Sequence, residues 1–587
     1  MTAPDPQTAW RQYRKSGDAA DLTVGLAGSF TLEPLEPYLG AHLLGKGMKP
    51  AFSVAPFGQL QQLCINHKHA VGDAQIIVML WRVEDMFSAK LAATLDSADA
   101  LPALLDDIRQ FAASVAQLRR NFSGTLIVST PPFPSLPGFD ALELASPAMQ
   151  VYMAIMQTWA QETAKIDRLR VLDLQALLIA HGTTQAHDAR KWQLYRQPYT
   201  NTFWQAIGTQ AGRIIAAEKI SAKKCVVLDL DNTLWGGVIG EDGLGGIALG
   251  DEFPGRAFRD FQRYLMHLKS KGVMLAVASK NNPDDALEVF DKHDAMILSR
   301  KDIIVFEIHW ESKVESIKRI AAKLNIGLDA LVFVDDNAKE IGEVRERLPA
   351  VTCILVPEEL AELPELLAKT DLFDTLQVTD EDRKRTEMMA ADQQRAAVQE
   401  TTSEEDFRKS LGLKIDVFAA EKQHLARITQ LVNKTNQFNL TTIRRTQDEV
   451  EKLATAPDAL VLGMDIRDKY GEYGLVGAAI LKKDGSTADI DTLLMSCRVL
   501  GRGAEETFIA QLAAAAASLG CTVLRGKYIP TAKNEMVKDL YQRLGFTADG
   551  GGWTMKTTDA RAIPDHIGAS LRLPESPILH KNKEGRK

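Results

Sequence analysis

The stretch Lys224-Cys225-Val226-Val227-Leu228-Asp229-Leu230-Asp231-Asn232-Thr233-Leu234-Trp235-Gly236-Gly237 decides the fold. Its apolar run, Cys225 to Leu228, has no polar break and ends on two aspartates two positions apart. An unbroken run of this kind is what a parallel strand covered on both faces requires, and Asp229 to Leu234 then lie where that strand leaves the sheet. Ligands of open α/β sheets collect at that end. Two carboxylates so close together repel and resist burial, so a positive group must offset them. Mg²⁺, which takes oxygen ligands, is the natural choice.

Working outward, apolar runs at 225–230, 274–279, 331–335 and 351–356 alternate with helical patterns that include 258–268 and 315–324. Repeated strand–helix units imply a parallel sheet with right-handed crossovers. The glycine-dense segment 236–243 predicts a small hairpin flap over the strand ends, because glycine supplies the positive φ that tight turns demand. Further polar residues stand at other strand ends, Ser279 before Lys280-Asn281 and Asp335-Asp336 in Phe333-Val334-Asp335-Asp336-Asn337, while Lys313 in Trp310-Glu311-Ser312-Lys313 opens a helix. An Asp pair after a strand is by itself more often a helix cap or turn than a metal site, because Asp favours both positions. The ordered set at the ends of three buried strands is what makes it chemistry.

That ordered set resembles the four motifs of the haloacid dehalogenase (HAD) phosphotransferase superfamily. The resemblance implies Asp229 as the nucleophile that takes a phosphoryl group and Asp231 as general acid/base. It implies Ser279 as a hydroxyl on the phosphoryl oxygens, and Lys313, preferred over Lys301, as the lysine that offsets charge. Mg²⁺ would be held by Asp229, Asp335 and Asp336 with the backbone carbonyl of Asp231. Carboxylate attack suits a displacement that is split into two easier steps, and the ammonium suits charge on the transferring group. The run 228–243 looks more narrowly like the FkbH-type, subfamily IIIC branch, as do Asn433-Lys434-Thr435-Asn436-Gln437-Phe438-Asn439-Leu440-Thr441-Thr442 and Ser496-Cys497-Arg498-Val499-Leu500-Gly501-Arg502. That branch is associated with moving a glyceryl unit from a phosphorylated glycerate onto an acyl carrier protein in polyketide pathways, and other members are classed as phosphatases. Ala338-Lys339-Glu340-Ile341 departs from the Pro-x-Glu-Arg of relatives.

A chain of 587 residues is well beyond one core and implies about three domains. With 45% hydrophobic and 25% charged residues it is ordinary globular protein, and a net charge of −8 argues against a general nucleic-acid or anionic-membrane binder. Cys64, Cys225, Cys353, Cys497 and Cys521 are odd in number and mostly set in apolar runs, which fits reduced core thiols. No C-x-x-C occurs and the 11 histidines show no zinc spacing. The first residues lack the pattern of a secretory signal, no run is long and apolar enough for a membrane helix, and a cytoplasmic location is expected.

The expected domains are 1–218, 219–370 and 414–560, with a charged segment at 371–413 read as a helical linker or a lid, its charges more simply a solvated helical face, and a polar tail at 561–587. The first alternates strand runs at 22–28, 51–55, 74–81, 124–130 and 168–174 with helical patterns at 101–118 and 149–164, the sign of a doubly wound, flavodoxin-like sheet. Gly28-Ser29-Phe30-Thr31 resembles the opening block of SGNH hydrolases, but Trp81-Arg82-Val83-Glu84-Asp85 replaces that family's Gly-x-Asn-Asp block, and its Asp-x-x-His is missing near His187 and Asp188. A serine without base and oxyanion donor is a poor nucleophile, so Ser29 is expected to be a turn residue in an inactive scaffold, with a live esterase as the alternative.

The last domain carries strand runs at 459–465, 475–482, 488–495 and 522–527 and a helix at 504–519. Arg498-Val499-Leu500-Gly501-Arg502-Gly503-Ala504 resembles the glycine loop of GNAT acyltransferases, with Asn534 and Tyr541 matching the late part of that fold. A glycine turn at a helix start aims backbone N–H groups at a pyrophosphate. The resemblance implies coenzyme A or a phosphopantetheine arm as ligand, or the fold kept without catalysis. Tyr541 is either a general acid or core packing, and Cys225 and Cys497 sit where thiols are usually inert. Three functions follow as expectations. The leading one is an Mg²⁺-dependent phosphatase or phosphotransferase acting on a small phosphorylated metabolite and coupled to glyceryl or acyl transfer onto a carrier protein. The others are a coenzyme A-dependent N-acyltransferase with a vestigial HAD part and a non-catalytic scaffold that docks carriers.

Overall fold

The computed structural model describes residues 5–134, 147–376, 395, 403–496, 499–531 and 533–574. The chain divides into two units, Met1–Ile220 and Ser221–Lys587. In the first, five apolar runs become β1 (Leu22–Gly28), β2 (Pro50–Val54), β3 (Ile76–Leu80), β4 (Thr125–Ser129) and β5 (Leu169–Leu172). All neighbours are parallel and the order is β2-β1-β3-β4-β5, the doubly wound arrangement expected. Helices bury one apolar cluster on each face of the sheet. Trp81, Phe111 and Trp159 pack in one, and Phe30, Tyr199, Phe203 and Trp204 in the other.

The second unit opens with β6 (Cys225–Leu228), β7 (Met274–Ser279), β8 (Val305–Ile308), β9 (Leu331–Asp335) and β10 (Thr352–Leu355). They form a parallel sheet in the order β10-β9-β6-β7-β8, so the apolar run Cys225–Leu228 is the central strand, buried at every position. Leu228 pairs with Val334 of β9 on one side and Val277 of β7 on the other. The residues that follow, Asp229 and Asp335, therefore leave the sheet at the same level on strands spaced about 4.8 Å apart. The glycine-dense segment is not the plain hairpin expected: Gly236 and Ala248 form an antiparallel bridge, but a helical turn, Ile239–Asp242, stands between them. Asp242 makes that turn by accepting the Val238 N–H at 2.8 Å, while Gly237 takes φ +91°.

The third domain is one mixed sheet, β11 (Lys414–Ala419), β12 (Ala459–Asp468), β13 (Gly471–Asp484), β14 (Thr487–Met495), β15 (Val523–Gly526), β16 (Thr547–Asp549), β17 (Gly552–Lys556) and β18 (Gly568–Arg572). Its order is β16-β17-β15-β14-β13-β12-β11-β18. The region expected as a loose tail thus begins with an edge strand, β18, parallel to β11, and residues 575–587 lie outside the described residues. β14 and β15 are parallel and pair over Thr487–Ile490 and Val523–Gly526. Past Ile490 their gap is filled by the chain itself: the Leu440 N–H donates to the Leu493 carbonyl at 3.1 Å, Met495 N–H to Phe438 carbonyl at 3.1 Å, and Ile529 N–H to Leu440 carbonyl at 2.8 Å. Most of the linker, 377–402, lies outside the described residues. Arg395, which is described, is buried, and it donates from Nε and Nη2 to Asp468 at 2.8 Å each. That position does not belong to the solvated helical face expected of the linker.

Candidate active site

Three strands deliver the acids and the hydroxyl to one rim. Asp229 follows β6, Asp335 ends β9 and Ser279 ends β7. One carboxylate oxygen from each of Asp229, Asp335 and Asp336 lies within 4.8 Å of the other two. Two ligands facing each other across a Mg²⁺ ion stand roughly 4.2 Å apart, so this all-oxygen triangle fits such an ion with little movement. Burial, with Asp229 adding to it, pushes the Asp335 carboxyl up to about 6, although Lys313 pulls it down. Burial and the nearby Asp229 likewise raise Asp336. Both shifts mark carboxylates short of positive charge, as the donor set of a cation site is.

Lys313 opens the helix Lys313–Lys323, whose first turn is capped by the Ser312 hydroxyl accepting the Val314 N–H at 3.2 Å. Its Nζ is 2.6 Å from Asp229 Oδ1 and 3.0 Å from Asp335 Oδ2, and it donates to the Ala278 carbonyl at 2.7 Å. Burial works against its charge, but the two carboxylates outweigh burial and raise its pKa. Lys301 stays exposed on the short turn Arg300–Asp302.

Asp231 is held differently from the other three acids. Its Oδ1 accepts the Trp235 indole N–H at 2.8 Å and the Ile239 N–H at 3.1 Å, and its Oδ2 accepts the Asn281 amide at 2.8 Å. Its side chain is therefore oriented by three donors, outside the carboxylate triangle, which leaves its backbone carbonyl as the contribution expected toward the metal. Asn232, at φ +52°, turns the chain back and accepts the Gly237 N–H at 2.9 Å. Trp235, Asn281 and the Ile239 amide were not singled out from sequence; the adjacency of Trp235 and Asn281 to the first two motifs was the signal available. Lys280 pairs with Glu340 at 2.5 Å beside Ser279, in the segment where the chain departs from Pro-x-Glu-Arg.

The third domain's residues are placed otherwise than expected. Arg498 and Cys497 lie outside the described residues. Gly501 and Gly503 do take the positive φ of a tight loop, +72° and +83°. Yet the Gly501 N–H donates to the Glu505 carboxylate at 2.9 Å, and a Cβ on Gly503 would stand 2.8 Å from Ile567 Cδ1. Arg502 reaches the Tyr473 hydroxyl. Asn534 is fully enclosed and spends its amide on the Asn439 carbonyl at 2.9 Å, the Ile529 carbonyl at 3.0 Å and the Thr531 N–H at 2.7 Å. Tyr541 is buried with its hydroxyl lacking a partner among the described residues, and its ring lies where a Cβ on Gly526 would come within 2.3 Å. A pyrophosphate on this loop would meet a carboxylate of the chain, and a pantetheine arm between β14 and β15 would meet residues 438–440. Of the expected coenzyme A set, the Gly501 N–H, the Arg502 guanidinium and the Asn534 amide are spent within the chain, whereas the Tyr541 hydroxyl has no partner among the described residues.

In the first unit, Ser29 is buried. Its hydroxyl donates to Asp85 at 2.9 Å and accepts the Arg82 N–H at 3.0 Å, and Arg82 in turn binds Asp85 through Nε at 2.8 Å and Nη2 at 2.6 Å. Both oxygens of the carboxylate beside Ser29 are thus engaged by the Arg82 guanidinium. His187 instead places Nδ1 on the Thr183 carbonyl at 2.9 Å.

No protein-family model matches the chain, and no curated protein matches it. Among solved structures the chain is similar to the N-terminal part, containing a phosphatase domain and complexed with Mg, of a Bacteroides fragilis protein. They are 27% identical over 63% of this chain and 98% of that one, with a TM-score of 0.54. A spermidine N-acetyltransferase from Vibrio cholerae, solved with CoA and spermine, is 15% identical over 25% of this chain and 97% of its own, with a TM-score of 0.20.

Proposed function

We propose that the second domain is an Mg²⁺-dependent phosphatase or phosphotransferase of the HAD type that attacks a small phosphorylated metabolite through Asp229. The observation that carries this is the convergence of Asp229, Asp335 and Asp336 on one point with Lys313 between two of them. The Bacteroides fragilis neighbour, a phosphatase domain with Mg, supports it. When bound, the ion supplies charge that offsets the phosphoryl oxygens and the carboxylates. Asp229 attacks phosphorus while the leaving oxygen takes a proton from Asp231, and in the second step Asp231 takes a proton from the water or acceptor hydroxyl that cleaves the phosphoaspartate. Three donors on Asp231 fix its direction for both transfers. Ser279 and Lys313 hold the phosphoryl oxygens in line.

The finer reading couples this chemistry to glyceryl or acyl transfer onto a carrier protein. Phosphate release from phosphorylated three-carbon acids, with and without Mg²⁺ and with Asp229→Asn, is the test: the variant is expected to lose on the order of a thousandfold or more. Equal release by variant and wild type removes the proposal. For the third domain the self-satisfied loop at Gly501 and the filled gap beyond Ile490 favour a docking role over coenzyme A-dependent acylation. Acylation of an amine from acetyl-coenzyme A by the full chain would reverse that preference.

A further inference from the structure

After β6 the chain makes a turn from Gly236 to Ala248, closed at its base by the Gly236 N–H on the Ala248 carbonyl at 3.0 Å and the Ala248 N–H on the Gly236 carbonyl at 2.8 Å. The next three N–H groups all go to side chains. Gly237 donates to Asn232 Oδ1 at 2.9 Å, Val238 to Asp242 Oδ2 at 2.8 Å and Ile239 to Asp231 Oδ1 at 3.1 Å. Asn232 and Asp231 belong to the strand end itself, whereas Asp242 comes from further along the turn and has no part in the reaction steps given above.

Asp242 holds Val238 twice. Its carboxylate takes the Val238 N–H, and its own N–H donates to the Val238 carbonyl at 2.8 Å. That carbonyl and the Ile239 N–H share one planar peptide, so whatever orients the first aims the second at Asp231. Gly237 makes the approach possible: it takes φ +91°, and a Cβ there would stand 2.5 Å from Asp242 Oδ2. The Ile239 side chain is buried in the core beneath the turn, which ties the same peptide down from the other side.

We infer that Asp242 is a positioning residue for phosphoryl transfer: by fixing Val238 it keeps the Ile239 N–H on Asp231 and so holds the proton donor in line with the leaving oxygen. The inference rests on the phosphatase reading and adds to it a residue outside the carboxylate triangle. In the first step the bond from Asp229 to phosphorus forms, and the bond to the leaving oxygen breaks with its electron pair on that oxygen, which takes the Asp231 proton. An alkyl oxygen needs that proton to leave, whereas 4-nitrophenolate is a stable anion and leaves without it. A donor that is aimed less well is therefore felt on an alkyl ester and spared on the aryl one.

The test is steady-state turnover of 3-phosphoglycerate and p-nitrophenyl phosphate with Mg²⁺ by the full chain as wild type, Asp242→Ala, Asp242→Asn and, as a control for lost charge on the same turn, Glu241→Ala. Both residues are exposed, so the changes leave the core intact. Asp242→Ala is expected to lose about five- to tenfold in kcat/KM on 3-phosphoglycerate, carried by kcat with KM little changed, and to stay within about twofold on the aryl ester. Asp242→Asn, whose amide oxygen still accepts the Val238 N–H, and Glu241→Ala should both stay within about twofold of wild type on either ester. Equal loss on the two esters, no loss on either, failure of Asn to rescue, or the same loss in Glu241→Ala overturns the inference and leaves the phosphatase reading standing. Cleavage of the aryl ester alone by wild type overturns it as well, because no donor then serves an alkyl oxygen. Wild type that cleaves neither ester removes the phosphatase reading, and this inference with it.

Discussion

Asp231 and Asp229 are two positions apart and sit in opposite environments. Asp229 faces Lys313 and the acids of β9, while Asp231 is turned away and fixed by Trp235, Asn281 and the Ile239 amide. A proton-transfer group needs orientation, and a hydrogen bond lost there acts on the chemical step more than on binding. Trp235→Phe, which keeps the ring and removes one donor, is expected to lower kcat by about 10- to 100-fold with KM little changed. A parallel fall in both parameters or none at all would contradict the orienting role, and steady-state kinetics reads this directly. Lys313 is tied to stability as well as to catalysis. Replacing it with Met leaves two carboxylates facing each other without their counter-charge, at a cost of about 3 to 5 kcal/mol. Added Mg²⁺ is expected to restore much of that in thermal melts, whereas in the wild type, which has its lysine, the ion adds less.

Elements are held to the site by buried polar clamps. Gln262 is fully buried, donates to the Leu234 carbonyl at 2.8 Å and accepts the Ile297 and Leu298 N–H groups at 2.9 and 3.2 Å. It therefore pins the loop after β6 to the chain that leads into β8. Gln262→Leu orphans three backbone groups and is expected to cost about 2 to 4 kcal/mol, measured by urea unfolding. At the end of β8, the Glu307 carboxylate is held low: burial works to raise it, but Lys323, Arg319 and His309 outweigh burial. The stability it contributes is present above the ordinary glutamate pKa and is lost as pH falls through its depressed folded value. Glu307→Gln is thus expected to melt about 1 to 3 kcal/mol below wild type near neutrality. The gap should close in acid, and a gap that widened there would contradict the sign. β8 is also where the sequence reading fell short. Val305-Phe306-Glu307-Ile308 is short and carries a charge mid-run, so its periodicity is hidden, although its burial depends on Arg319 and Lys323. The long apolar runs of β6, β7 and β9 were legible because strands covered on both faces leave no room for a polar residue.

For the whole molecule, three strand ends in one sheet were readable from order alone, since parallel neighbours must bring their C-terminal ends to a common rim. What was not readable was long-range self-occupation. The pairing of 438–440 with β14, the Glu505 carboxylate on the Gly501 amide and the Ile567 cover over Gly503 join segments far apart or differ from motif expectation only by one bond. A glycine loop announces a turn, but its motif does not say whether the N–H groups remain open. The same limit hid the buried Arg395–Asp468 pair, which fastens the linker to the third domain. Asp468→Asn removes one partner of a buried pair, and a loss of about 3 to 5 kcal/mol is expected in chemical unfolding.

In the proposed reaction a phosphoryl group passes through Asp229. Acid-quenched wild-type enzyme, mixed with Mg²⁺ and a phosphorylated three-carbon acid and digested for mass spectrometry, is predicted to carry one phosphoryl group on the peptide containing Asp229. The Asp229→Asn protein should carry none. Turnover that proceeds with that peptide unmodified at every quench time, or undiminished turnover by the Asn variant, would contradict the account.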